Sequence, residues 1–483
     1  MRDESGERYE VWGRIGRGGM SEVWLARHVG LDMPVVLKTL SAEAQRKGHD
    51  PRERMLAEAR SMARVSNPHV VRAMDAGVLG GVPFIAQEYV DGIDLGELDR
   101  RRRGALGVGL PLWFVAEIVD QCCVALSAAH RMGVIHRDVK PSNIFASPDG
   151  IRLGDFGLAI AGGGEETAEI AGTIRFMAPE IMLGGRATRA SDVYSLGAAA
   201  FELRYGKAPF VGFEHAFDPK VRPPFPSPTT AQESFFQHVL AGALEKNPDQ
   251  RIPDPKTLQR AIRTLRGTLA REASERGFLP AGPDRFRLGR CEVSLVRGDI
   301  SEAECDAIVS SAPYQMMMRS GVGDALRRAG GDEIEREAMA GGERALGACV
   351  VTGAGRLRAR NVLHAVSAWK GNSIVGRALH RALLVSEERG ARSVALCAFG
   401  TGVAGVTVET SANAMLSTLR FHLGLGGSRL ERVTVYLFDE DKLRAFREVA
   451  VDALHVLAED PSDVGIPCDA TGGTHADAST ALG

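Results

Sequence analysis

The sequence predicts two successive folding units, an α+β half followed by a three-layer α/β half. Three observations predict this. A chain of 483 residues holds two or three units at roughly 150 residues per domain. Residues 9 to about 95 read as strands with one amphipathic helix near 51–65, and residues 111–265 read mainly as helices. Beyond residue 290 short β-rich runs (CEVSLV, DAIVS, ACVVTG, NVLHAVS, SVALCAFG, RVTVYLF) alternate with helical stretches near 322–340, 373–389, 408–424 and 440–457. Alternation of that kind is the mark of a helix-covered sheet.

The junction is read from Gly277, Pro280, Gly282 and Pro283. The expected organisation is therefore a first domain over 9–266, a linker over 267–290, a second domain over 291–457 and a tail over 458–483. The 26-residue tail carries five acidic residues and no Lys or Arg, a composition that predicts disorder. No internal repeat is found.

Composition narrows the class. Apolar residues at 44%, charged residues at 25% and a net charge of −2 are those of an ordinary globular protein and give no clear nucleic-acid signal. The run Arg100–Arg103 reads as a solvated helix end or loop, with a local phosphate-binding patch as the alternative. Seven cysteines, none in C-x-x-C spacing, read as reduced thiols rather than a disulfide or zinc framework. The start MRDESGERYEVWG lacks the apolar core of a signal peptide. The apolar run 193–203 is short of the ~20 residues that a spanning helix needs. A cytoplasmic protein without a membrane anchor is expected.

The first half carries a set of residues suited to phosphoryl transfer, which needs a cradle for phosphates, charge neutralisation and an aimed acceptor hydroxyl. In IGRGGMSEV, Ile15 to Val23, the residues Gly16, Gly18 and Ser21 form a G-x-G-x-x-S pattern between two strand-like segments. A dinucleotide-binding turn would require a helix directly afterwards; Glu22-Val23-Trp24-Leu25-Ala26 reads as a strand, so a hairpin over phosphates fits better. Lys38 ends the apolar strand VVLK, and Glu58 follows on a helix whose apolar face runs through Met55, Met62 and Val65. A Lys–Glu pair of this kind holds the lysine against α- and β-phosphates. Then comes His136-Arg137-Asp138-Val139-Lys140-Pro141-Ser142-Asn143. Asp138 is placed to accept the acceptor's proton, Lys140 to steady the γ-phosphate and Asn143 to hold a metal. Asp155-Phe156-Gly157 stands seventeen residues after Asp138, with Asp155 as the second metal ligand. Ala178-Pro179-Glu180 and the segment 191–197 follow, and Arg251 is placed to pair with Glu180.

In order and content these motifs resemble the eukaryotic-like Ser/Thr protein kinases of bacteria, over residues 9 to about 266. The resemblance implies an α+β two-lobed protein-kinase fold with ATP and Mg²⁺ in the cleft, Mn²⁺ being the alternative metal, and protein hydroxyls as substrates. It places adenine against the backbone near Glu88 and Val90, with Gln87 as gatekeeper. Lys140 and GTIRFMAPE resemble the Ser/Thr rather than the Tyr class. No catalytic position is replaced, which leaves a pseudokinase as the minor alternative. Arg137 leaves a positive charge that a phosphorylated loop residue can neutralise. Thr167 is the autophosphorylation candidate, and Thr173 by resemblance contacts Asp138 and the substrate segment. The alternative is that Glu165 and Glu166 supply that charge, or that none is needed.

The second half has two Gly-rich loops, each beside a helix: 320–323 and 399–405. Such loops grip pyrophosphate or are simply tight turns. The order of segments over about 291–457 resembles a macrodomain, which implies a three-layer α/β macrodomain-like fold and an ADP-ribose site. By that resemblance Asp299 and Ile300 belong to the adenine end, and Gly321, Val322, Gly400, Thr401, Gly402 and Val403 to the phosphate loops. His364 lies on a central strand, more structural than catalytic. The motif V-N-A-A-N reads Val309-Ser310-Ser311-Ala312-Pro313, losing both asparagines. Gly323 stands where hydrolases carry an acid, with Asp324 one residue later, and Ala404 stands where an aromatic is common.

Three readings follow. The leading one is a kinase with a module that binds ADP-ribose or docks a partner. The others are a reader of ADP-ribose or ADP-ribosylated protein with a weakly active kinase half, and a kinase fused to an ADP-ribosyl hydrolase. Dimerisation is left open.

Overall fold

The computed structural model describes residues 8–457 apart from 18–20, 42–54, 57–58, 61, 80, 157–173, 211, 275–276, 370–371 and 403. Five antiparallel strands open the chain: β1 (Tyr9–Arg17), β2 (Ser21–His28), β3 (Met33–Leu40), β4 (Ala73–Leu79) and β5 (Val82–Glu88), in the order β1-β2-β3-β5-β4. Side chains alternate faces along a strand. On β3, Val35 and Leu37 enter one apolar cluster while Val36, between them, enters another. Met55, Met62 and Val65 are buried as their helical spacing predicts.

A helical lobe follows, with a small sheet of β6 (Ile93–Asp94), β7 (Ile144–Ser147) and β8 (Gly150–Leu153). Its main helices are α1 (Leu95–Leu106), α2 (Leu112–Arg131), α3 (Arg189–Tyr205), α4 (Ala231–Ala243) and α5 (Pro255–Ser274). Helix α2 is long and apolar enough by composition to cross a membrane, which the sequence reading overlooked; here it is mostly buried in the core of this lobe. Helix α3 starts at a reciprocal cap, in which Thr188 Oγ1 accepts from Ser191 N and Ser191 Oγ accepts from Thr188 N. The strand-rich lobe and the helical lobe give the two-lobed arrangement.

The second domain is a nine-stranded sheet of β9 (Leu279–Pro280), β10 (Arg285–Leu288), β11 (Cys291–Arg297), β12 (Ala307–Pro313), β13 (Cys349–Gly353), β14 (Asn361–Trp369), β15 (Asn372–Ser373), β16 (Ser393–Cys397) and β17 (Arg432–Leu437). The central order β14-β12-β16-β17-β11 is parallel. Antiparallel strands flank it on both edges. Helices α6 (Gly321–Gly330), α7 (Glu333–Met339), α8 (Val375–Glu388), α9 (Val408–Gly424) and α10 (Glu440–Leu454) pack around it. Strands such as β12 are buried nearly throughout, as a parallel sheet covered by helices requires.

Two expectations are corrected. The span 267–290 is no linker: α5 continues to Ser274, and β9 and β10 belong to the second sheet. The reason is local. Gly282, at φ 124°, and Pro283 lie in the turn that joins β9 to β10, so they turn the chain within one sheet rather than break it between domains. The arginine run is solvated at Arg100 but turns inward beyond it. It lies on α1, where Arg102 is 1% exposed and donates to the carbonyls of Leu425 and Gly426 in the second domain. The tail 458–483 lies outside the described residues.

Candidate active site and second-domain groove

The catalytic loop is held from beneath by one carboxylate. Asp192, on α3 and fully buried, accepts from the backbone N–H of His136 and of Arg137, both at 2.9 Å, and lies 2.7 Å from His130 Nε2. His136 is itself buried, its Nε2 2.9 Å from the carbonyl of Gly154, and its ring packs on Phe156 at 4.4 Å. Burial lowers the pKa of His136 even though Asp192 and Asp138 oppose the shift. Arg137 and Asp155 both take positive φ, at 70° and 50°, the only such non-glycine residues between positions 33 and 283 among those described. Left-handed backbone costs roughly 1–3 kcal/mol per residue and is retained where the surroundings enforce it.

Asp138 sits at the centre. Its Oδ2 accepts from Lys140 Nζ at 2.9 Å and from Asn143 Nδ2 at 3.0 Å, and Asn143 Nδ2 also reaches the Asp138 carbonyl at 2.8 Å. Its Oδ1 is buried with no hydrogen-bond partner among the described residues. Gly154 N donates to the carbonyl of Asn143 at 2.8 Å, bringing Asp155 alongside. Lys38 Nζ lies 3.2 Å from Asp155 Oδ1. Burial raises the Asp155 pKa, but the lysine's charge and hydrogen bond outweigh it and hold the carboxyl below its ordinary value. So Lys38, Asp138, Lys140, Asn143 and Asp155 are brought together in one place.

Around them, Gly16 and Ser21 lie at the facing ends of β1 and β2. Gln87 is buried with its Nε2 3.6 Å from Met62 Sδ. Glu88 ends β5, its Oε1 accepting from Arg72 N and from Arg152. Arg251 pairs with Glu180 as predicted. Gly18, Glu58, Thr167 and Thr173 lie outside the described residues, and with them the Lys38–Glu58 pair.

In the second domain Asp299 follows β11, its Oδ1 accepting from Ser301 N at 2.8 Å, and Ile300 is buried behind it. Gly321 and Gly400 have φ of 52° and 73°, conformations that favour glycine. Val322 packs against the sheet core; Thr401 Oγ1 bonds the carbonyl of Ala398, and Gly402 is exposed. Val403 lies outside the described residues. Ser311 Oγ bridges Ser367 Oγ at 2.6 Å and Gly400 N at 3.4 Å, tying β12 to the second Gly-rich loop. Asp324 is bound by Arg327 and Arg328 at 2.8 and 2.7 Å. Its hydrogen bond from Arg327 lowers its pKa, the opposite of what a proton-abstracting group needs. His364 is a core residue: 1% exposed, Nε2 3.0 Å from Thr352 Oγ1, its pKa lowered by burial to about 4.

One residue was missed in the sequence. Phe438 directly follows β17 and is 78% exposed. Gly298 N donates to the carbonyl of Leu437, so Phe438 lies at the strand end beside the chain segment that leads to Asp299. The signal was there, an aromatic just past the last strand, but RVTVYLF reads equally as a strand core.

Comparison with known proteins separates the halves in the same way. The family model described as "Protein kinase domain" matches residues 9–261, more than half the chain, and "Macro domain" matches 309–415. Serine/threonine-protein kinase PknB of Mycobacterium leprae is 32% identical over 327 residues, covering 63% of this chain and 51% of that protein. PknB of Mycolicibacterium smegmatis is 36% identical over 264 residues, covering 51% and 41%. The probable serine/threonine-protein kinase pknA2 of Bifidobacterium longum is 33% identical over 256 residues, covering 50% and 33%. The chain thus spans about half or less of the length of these relatives. Among solved structures, the kinase domain of M. tuberculosis PknI is 30% identical, with a TM-score of 0.45, over 54% of this chain and 96% of that one.

Proposed function

Since the chain belongs to the protein kinase family, we propose that it is a Ser/Thr protein kinase transferring the γ-phosphoryl group of ATP to protein hydroxyls, joined to a macro-type domain that takes ADP-ribose or a close relative. The observation that carries the first part is the division of labour at Asp138. One carboxylate oxygen accepts from Lys140 and Asn143, and the other is buried with no hydrogen-bond partner among the described residues. A substrate hydroxyl would supply that partner. Asp138 then orients the nucleophile and takes its proton, while Lys140 leaves Asp138 for the γ-phosphate as nucleotide enters. Lys38 holds the α- and β-phosphates, and the backbone near Glu88 and Val90 holds adenine.

The donor set fits a hard cation. Asp155 offers a carboxylate, and Asn143, whose amide nitrogen is used on Asp138, offers its amide oxygen. A Mg²⁺ or Mn²⁺ ion held there by Asp155 and Asn143 would supply neutralisation of the nucleotide's phosphate charge. Transfer of labelled phosphate from ATP to a generic basic protein or to the chain itself, lost in Asp138→Asn, tests the reading; no transfer by wild type with either metal overturns it. Arg137 is exposed, which supports phosphorylation of Thr167 as the regulatory event. Thr167→Ala activity equal to wild type would remove that part.

For the second domain we favour a binding module over a hydrolase. Asp324 is locked in two arginine pairs, and Pro313 replaces the asparagine expected at the distal ribose. Titration calorimetry with ADP-ribose is the test; a flat trace leaves only a docking role, and release of ADP-ribose from a modified protein would restore the hydrolase. A cytoplasmic location is proposed on the free thiols, as the six cysteines among the described residues are all unpaired.

A further inference from the structure

Two members of the arginine run of α1, Arg101 and Arg102, reach partners in the second domain, while Arg103 pairs with Asp99 and the Leu203 carbonyl within the helical lobe. Glu97 receives Arg101 at 2.9 Å and Arg381 of α8; Arg101 also reaches Glu388 at the other end of α8, at 2.9 Å. Arg102 caps the chain leaving α9 through the carbonyls of Leu425 and Gly426. Leu384, Leu425 and Phe421 are continuous with the core of the helical lobe, and Phe421 meets Phe114 edge-on at 5.5 Å.

The same contact reaches the hinge between the lobes. Asp91 directly follows Val90. Its Oδ2 accepts from Gly376 N and its Oδ1 from Arg377 N, each at 2.8 Å, at the first turn of α8, and Tyr89 Oη donates to Oδ1 at 3.1 Å. A carboxylate at a helix N-terminus also meets a favourable dipole. The fit depends on Gly376 having no side chain: a Cβ there would lie 2.9 Å from Asp91 Oδ2 and 3.3 Å from its carbonyl oxygen. Above this contact, Trp12, Ile15, Leu25, Val36 and Tyr89 share one apolar cluster with Met316 and Ile374 of the second domain. Val36 lies on the same face of β3 as Lys38, two residues on.

We propose that the second domain is a brace on the kinase hinge, with Asp91 as a positioning residue that fixes segment 89–91 against α8 and thereby sets the nucleotide affinity of the cleft. This rests on the kinase reading of that cleft. Asp91 touches no nucleotide in this account; it holds the backbone on either side of it in the register that adenine meets. The apolar cluster fixes the strand roof relative to the same helix, so roof and hinge share one external support.

The test uses the full chain carrying Gly376→Ala. Affinity for a fluorescent non-hydrolysable ATP analogue with Mg²⁺ should weaken about fivefold or more, KM for ATP should rise in parallel, and kcat should stay within about twofold. Amide exchange over 89–92 should accelerate. A folded Gly376→Ala protein with wild-type affinity and wild-type exchange overturns the brace. If that variant does not fold, Arg381→Gln, which breaks the Glu97 link of the same contact, must weaken affinity in the same direction, and unchanged affinity there is equally fatal. Nucleotide binding without any phosphate transfer by wild type sinks the kinase reading alone, since affinity still decides the brace. Absence of nucleotide binding sinks both.

Discussion

The guanidinium of Arg251 is wholly removed from solvent and donates to both carboxylate oxygens of Glu180, at 2.7 and 2.9 Å. It also reaches the carbonyls of Glu245, Ala190 and Lys246, and its charge lies 5.0 Å from the ring of Tyr194. The Pro179–Met182 turn is thereby tied to the loop preceding α5. Removing the carboxylate while leaving the cation buried costs about 3–5 kcal/mol. Glu180→Gln should therefore lower the melting temperature by roughly 6–20 °C at about 2–4 °C per kcal/mol, read by calorimetry. A melting point within a degree or two of wild type would show that the pair contributes nothing net.

Asp138→Asn and Asp155→Asn should fail differently. In the proposed reaction Asp138 would face the acceptor hydroxyl, so its amide variant should lose about 10²–10⁴ in kcat with ATP affinity nearly unchanged. Asp155 lies 3.2 Å from Lys38 and in the proposed reaction would hold the metal, so its variant should lose Mg²⁺-dependent nucleotide affinity as well. Equal losses of affinity in both variants would contradict the separate roles.

The sequence displayed these residues because each motif is short and contiguous: a turn of eight residues delivers Asp138, Lys140 and Asn143 together, and Asp155 follows one hairpin later. What it hid depends on partners far along the chain. Nothing near Arg102 announces the carbonyls of Leu425 and Gly426, more than 320 residues on. Asp91 looks like a loop aspartate until α8 arrives with Gly376. The β9–β10 ribbon was masked by Gly282 and Pro283, which read as a break between domains although they only turn the chain within one sheet. Asp192 lies in the segment 191–197, but its grip on His130, His136 and Arg137 is a tertiary fact.

Stability should fall in mild acid through His364. Burial lowers its pKa to about 4 in the folded chain, whereas the unfolded chain protonates near 6.5. Between those values the unfolded state binds the extra proton, so stability rises with pH and is lost as pH drops from about 6.5 towards 4. The full difference is about 3–4 kcal/mol, at about 1.4 kcal/mol per unit. Denaturant titrations of wild type and His364→Gln across this range check it: the variant should show a shallower acid loss by about that amount. Parallel profiles would mean that the imidazole is already charged or exposed.

Phe438 separates a binding groove from a bare scaffold. Its phenyl ring is 78% exposed on a strand end tied to the Asp299 segment, an arrangement with no packing role to lose. A base seated against Asp299 would stack on it, and stacking of a base on an aromatic ring is worth about 1–3 kcal/mol. Phe438→Ala should leave the melting temperature unchanged and weaken ADP-ribose binding by about fivefold to a hundredfold, measured by calorimetry on the full chain. Asp299→Ala should weaken it too, and the double variant should fall short of the summed losses, because both act on the same ring of the ligand. If wild type binds ADP-ribose and Phe438→Ala binds it equally well, the base does not lie at this end of the groove. The phosphate loops around Gly321 and Gly400 would then be the part of the site that carries affinity.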